Sequence, residues 1–85
     1  MGVSRKQAWR RMRGLELTLL EHLDNHVPAL LHENPDAAPH WRQEMNAWIA
    51  EIERLAQYTG KRTSDEWKAR TAGYRIRVAE LLGQD

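Results

Sequence analysis

Residues 41–55 read WRQEMNAWIAEIERL, and their large apolar side chains recur at the spacing of a helix. The apolar positions step by four, three, four and three residues, which is the pattern of a single buried helix face. This stripe consists of Trp41, Met45, Trp48, Ile52 and Leu55. The stretch therefore predicts an amphipathic helix, which we expect over about residues 39–58.

Two further segments carry a similar apolar stripe, one on each side of this stretch. The first predicts a helix over about residues 5–26 with an extension over 28–33, and the second predicts a helix over about 64–82. We expect a kink or break near Asn25, close to Pro28, because proline lacks a backbone N–H and clashes with the preceding turn. Core positions are expected at Trp9, Met12, Leu15, Leu19, Leu20, Leu23, Val27, Leu30, Ile49, Ala56, Trp67, Thr71, Tyr74, Val78, Leu81 and Leu82.

Local signals mark the expected helix ends. Ser4 and Gln7 are spaced as a capping box, in which each side chain accepts from the other residue's backbone N–H. Thr63 and Glu66 have the same spacing before the third helix. Gly83 is suited to the position that follows a helix end. These signals and the short connections predict a single all-α domain over residues 1–85, arranged as a small antiparallel three-helix bundle.

Size and composition limit the class of protein. A chain of 85 residues buries only about 60–65% of its unfolded surface, so dimerisation would be a natural source of further buried area. The sequence has no cysteine, which excludes disulfides and thiolate chemistry. It also lacks an apolar run of the ~18 residues that a membrane span needs, so we expect a cytoplasmic protein.

Charge is segregated along the chain although its net value is only +1. Residues 1–14 carry five cations and no acid, whereas residues 15–60 carry eight acids and two cations. The edges of the first two helices are complementary, since Arg11 and His22 on one could face Glu51 on the other. Arginine outnumbers lysine by ten to three, which is a composition typical of a bacterial or phage source.

The predicted function follows from apolar and small residues that the core does not use. Leu17 points away from the core face of the first helix, and Ile76 lies opposite Trp67 on the third. Small neighbours of Ile76 would let another helix approach closely, and arginine is enriched at protein interfaces. We therefore predict a non-catalytic interaction module that self-associates, such as a regulator, inhibitor or adaptor. Its predicted interface residues are Arg10, Arg13, Leu17, Ala69, Ala72, Gly73 and Ile76.

A nucleic-acid-binding regulator is the alternative prediction. Arg5, Lys6, Arg10 and Arg13 could neutralise phosphates along the first helix, because a row of cations gives salt-dependent affinity. The remaining chain is acidic, and no helix-turn-helix or RNA-binding signature is present. The competing interpretations are a solvated N-terminal helix turn, or cations that pair with the acidic middle of the chain.

Metal binding is a second and weaker alternative. His22 and His26 are four residues apart, as are His40 and Glu44, so each pair could share a helix face. However, such pairs are common by chance, and His26 falls within the predicted apolar sector, where a histidine is more often part of the core. No motif for a catalytic nucleophile or a cofactor is present, so we expect no enzyme activity and no bound cofactor.

Overall fold

The computed structural model describes residues 4–83. This part of the chain forms α1 (Arg5–Glu21), α2 (Val27–Glu33), α3 (Ala38–Ala56) and α4 (Lys61–Leu82). A π-helical turn joins α1 to α2, and short 3₁₀ turns precede α3 and α4. Residues 4–83 contain no β-strand, which confirms the predicted all-α class over this range.

The start of α1 is fixed by the predicted capping box. The Gln7 backbone N–H donates to Ser4 Oγ at 3.1 Å, and the Ser4 N–H donates to Gln7 Oε1 at 3.2 Å. These two bonds satisfy N–H groups that have no partner within the helix. The prediction of a capping box at this end is therefore confirmed.

The helical backbone is not broken near Pro28. It continues from Arg5 to Glu33 through the π-helical turn His22–His26, where the Val27 N–H donates to the His22 carbonyl. Each turn of a π-helix holds more residues than an α-helical turn, which changes the angular positions of the side chains that follow. The expected break is thus replaced by a locally widened helix immediately before the proline.

The π-helical turn also explains why two predicted core positions, Leu30 and His26, are wrong. In a regular α-helix, residues four apart differ slightly in their angular position around the helix axis. The π-helical turn reduces this difference, so that apolar residues at this spacing stay on one face. Leu19, Leu23 and Val27 are consequently buried, and Leu31 packs against them. Leu30 and His26, both expected in the apolar sector, are exposed.

The start of α4 differs from the prediction. The helix begins at Lys61 rather than near residue 64, so Thr63 lies inside its first turn and does not cap it. Gly60 precedes the helix with φ 97° and ψ 158°, a backbone conformation that is essentially restricted to glycine. This glycine allows the chain to enter α4 directly after the 3₁₀ turn Gln57–Thr59. At the other end Gly83, with φ 84°, follows the last helical residue as predicted.

Two adjoining apolar clusters form the core. Trp67 is buried among residues of the first cluster, where Trp9 meets it edge-on with ring centroids 5.8 Å apart. Trp41 and Trp48 are half-buried at the margin of the second cluster. The first cluster consists of Ala8, Met12, Ile52, Leu55, Ala56 and Trp67, and the second of Leu19, Leu23, Val27, Met45, Ile49, Val78 and Leu82.

Polar contacts show which helices are neighbours. Arg11 of α1 lies 3.7 Å from Glu51 of α3, as the complementary charges suggested. The Arg42 side chain of α3 donates to the Leu82 carbonyl at the end of α4 at 3.3 Å. Side chains also link α1 to α4, because Glu16 accepts hydrogen bonds from that helix. The described residues form an elongated body of 42 × 20 × 18 Å.

Candidate functional site

The predicted interface residues are all exposed. We call them the candidate face: Arg10, Arg13, Leu17, Ala69, Ala72, Gly73 and Ile76. Leu17 and Ile76 are the most exposed large apolar side chains among residues 4–83, at 62% and 59%. A Cβ added at Gly73 would find no heavy atom within 4 Å, so the surface beside this glycine is open.

Leu17 lies on α1, whereas Ile76 lies on α4. Glu16, which precedes Leu17, contacts the flank of α4 that carries Arg70 and Tyr74. Ile76 instead lines a groove between α4 and α3. The small residues of the candidate face occupy the outward surface of α4 between these two flanks. The structure thus separates two apolar side chains that the sequence assigned to one patch.

The groove beside Ile76 has a volume of about 320 Å³ and is open to solvent. Arg42 and Asn46 contribute to it from α3, while Arg75, Val78, Ala79 and Gly83 complete the lining from the α4 side. Its arginines are already engaged, since Arg42 donates to the Leu82 carbonyl and Arg75 lies 2.5 Å from Glu53. The groove therefore offers a mainly apolar surface with polar walls.

A polar network that the sequence did not predict joins α1 to α4. Glu16 is only 7% exposed although it lies within the leucine run of α1. Its Oε2 atom accepts from Tyr74 Oη at 2.6 Å and from Arg70 Nη1 at 3.1 Å. The Arg70 guanidinium also lies 4.4 Å from the centroid of the Trp67 ring. Because a buried carboxylate needs partners, this network fixes how α1 lies against α4.

The tyrosine of this network has an altered acidity. Burial, together with the hydrogen bond to the Glu16 carboxylate, raises the pKa of Tyr74 from 10.0 to about 12. The folded state therefore favours the neutral phenol. Since the pKa of an unfolded tyrosine is about 10, this contribution to stability is complete below about pH 10 and is lost as the pH rises towards 12.

The raised pKa of Tyr74 can be measured in the variant Tyr58→Phe, which leaves Tyr74 as the remaining tyrosine. Absorbance of the phenolate should give a titration midpoint near 12, while circular dichroism reports whether the chain is still folded. Adding Glu16→Gln should lower the midpoint, because it removes the carboxylate charge next to the hydroxyl. A midpoint near 10 in the folded Tyr58→Phe protein would contradict the proposed network.

Of the predicted metal-site residues, His22 and His26 are brought together on one helix face, with ring centroids 5.1 Å apart. His22 stacks near Trp41 and Trp48, with ring centroids 5.4 and 4.8 Å away, and its Nδ1 donates to the Thr18 carbonyl at 2.8 Å. His26 Nε2 lies 3.1 Å from Glu21. The other two candidates are His40, whose ring packs against Trp41, and the exposed Glu44. Across residues 4–83, no group of three histidine or carboxylate side chains is placed to hold a metal ion.

The predicted phosphate-binding residues lie at one end of the molecule. Arg5, Lys6, Arg10 and Arg13 are exposed, and within the described part of the chain none of them forms an ion pair or hydrogen bond through its side chain. By contrast, Arg11 lies against Glu51 of α3. Pairing with the acidic middle of the chain is thus observed for Arg11, whereas the exposure of the other four fits a solvated helix turn as well as it fits phosphate binding.

Comparison of this chain with protein-family models, curated proteins and solved structures found no match. In the segment 4–83, no helix combines the length and the apolar character required to cross a membrane.

Proposed function

We propose that the protein is a non-catalytic interaction module that self-associates through the candidate face on α4, and that it acts in the cytoplasm as a regulator, inhibitor or adaptor. The observation that carries this proposal is the highly exposed Ile76 on α4, a helix whose other outward residues are small, and Leu17 is a second exposed apolar side chain on the neighbouring α1. Exposed apolar side chains that frame a shallow surface are typical of interaction sites.

The proposed scaffold is an antiparallel three-helix bundle of α1 with its continuation α2, α3 and α4. Two sets of contacts support it. Early α1 meets late α3 at Arg11 and Glu51, while early α3 meets the end of α4 at Arg42 and Leu82. On this arrangement α1 and α4 run in the same direction, and both contribute to the candidate face.

The shape of the candidate face suits a second helix. Ile76 would form a ridge among the small residues Ala69, Ala72 and Gly73, which would let a second helix approach closely. A second copy of the chain offers the same ridge, and a two-fold axis would let each Ile76 contact the partner's small residues. Arg10 and Arg13 would lie at the rim, where arginine can remain partly hydrated.

The substitution Ile76→Asp tests this proposal. The wild-type protein is expected to show a concentration-dependent mass above the monomer by light scattering or sedimentation, and the variant is expected to be monomeric. The physical reason is that burying an unpaired carboxylate in an apolar contact is strongly unfavourable. Because Ile76 is exposed, the same change should leave the helical content and the unfolding midpoint nearly unaffected.

A matched control is Ala50→Asp, which adds the same charge to an exposed position on α3, away from the candidate face. This variant should keep the wild-type mass. A monomeric mass for the wild-type protein across the concentration range would overturn self-association, as would an unchanged mass for Ile76→Asp.

A further inference from the structure

The structure extends the cationic surface beyond the first helix. Arg5 Nη2 lies 3.7 Å from the position that a Cβ on Gly60 would occupy, so the start of α1 meets the start of α4. One turn further along, Trp9 meets Trp67. The sequence separates these helix starts by more than fifty residues, and only folding brings Lys61 and Arg62 next to Arg5.

We call this surface the cationic end and define it by Arg5, Lys6, Arg10, Arg13, Lys61 and Arg62. All six side chains are exposed, and within residues 4–83 none is engaged in an ion pair or a side-chain hydrogen bond. Segments 4–13 and 60–66 together carry seven cations and two carboxylates, although the whole chain has a net charge of only +1. The N-terminal ends of α1 and α4 add their positive partial charges at the same place.

An exposed aromatic residue, whose hydroxyl interacts with Arg54 of α3, lies in the turn that precedes the start of α4. Tyr58 is in the 3₁₀ turn Gln57–Thr59, two residues before Gly60, and is one of the four large apolar or aromatic side chains exposed among residues 4–83. The adjacent Thr59 is buried and donates to the Ala56 carbonyl at 2.6 Å, which holds the turn in place. Tyr58 is thus presented on an anchored turn next to the start of α4.

We propose that the cationic end binds single-stranded nucleic acid, with its arginines and lysines on the phosphates and Tyr58 stacked on a base. A positively charged surface combined with an accessible aromatic ring is the chemistry that binds single strands without sequence readout. Among the described residues at this end, Trp67 is buried in the core and Trp9 is partly buried against it, so neither ring is presented for insertion into a lipid surface. The cationic end shares Arg10 and Arg13 with the rim of the candidate face, whereas Tyr58, Lys61 and Arg62 belong to the cationic end alone.

The test is fluorescence anisotropy with a labelled oligothymidylate of about 12 nucleotides, titrated at several salt concentrations. The wild-type protein should bind with an affinity that falls as salt rises. The double variant R10Q/R13Q should lower the salt slope by about 1.4, since each phosphate contact to a single strand contributes about 0.7. Tyr58→Ala should weaken binding about 5- to 150-fold with little change in that slope.

A matched control is R75Q/R77Q, which removes two positive charges from the other half of α4, where both arginines pair with carboxylates. It should bind like the wild type, and thermal unfolding should show that every variant remains folded. The proposal is overturned by the absence of binding at micromolar protein, or by equal losses in R10Q/R13Q and the control. It is also overturned if anionic phosphatidylserine vesicles bind and the oligonucleotide does not, or if Tyr58→Ala binds like the wild type.

Discussion

Replacement of Trp67 by alanine is expected to lower the free energy of unfolding by about 3–5 kcal/mol. Trp67 is the largest fully buried side chain among residues 4–83, at 1% exposure. It packs against Met12 of α1 and Ile52 of α3, so its loss would leave a cavity where the three long helices meet. A chain of this size has a total stability of roughly 4–13 kcal/mol, so the variant should lose a large part of it and would be partly unfolded at the low end of that range.

Urea denaturation followed by circular dichroism would measure this effect. Trp41→Ala is a suitable control, because Trp41 is only half-buried at the edge of the second cluster and the same atoms are removed. We expect the control to lose clearly less stability than Trp67→Ala. Equal losses, or a larger loss in the control, would mean that Trp67 does not occupy the centre of the core.

Glu16→Ala is expected to lower the free energy of unfolding by about 2–3 kcal/mol. Removing the carboxylate leaves the Tyr74 hydroxyl and the Arg70 guanidinium without their shared acceptor. The loss is smaller than that of a fully buried pair, because the Arg70 side chain is 44% exposed and water can solvate it. Glu16→Gln should be intermediate, since its amide oxygen can still accept from Tyr74.

A second glutamate provides the comparison. Glu51 also bridges elements, but its partners Arg11 and Arg54 lie largely in solvent. Exposed ion pairs contribute about 0–1 kcal/mol, so Glu51→Ala should have a small effect under the same denaturation conditions. If Glu16→Ala were no more destabilising than Glu51→Ala, the network between α1 and α4 would not contribute to folding.

The site was only partly predictable from the sequence. Exposure of Leu17 and Ile76 could be predicted because each lies at an angle opposite to its helix's apolar stripe. The burial of Glu16 could not, because a single glutamate in a leucine run looks like a position exposed to solvent. The polar partners Arg70 and Tyr74 lie more than fifty residues away along the chain. The angular position of Glu16 around the helix axis does indicate burial, because it falls between Met12 and Leu19 on the buried side of α1.

The sequence by itself determined the all-α class, the capping box at Ser4 and the apolar stripe of α3, because each depends on spacing within one helix. The tertiary structure alone decided the buried Glu16 network, the separation of Leu17 from Ile76 and the joining of two cationic helix starts. Periodicity gives the angle of a side chain around its own helix axis, and it contains no information on which helix lies on that side. That choice is made by the packing of all the helices together.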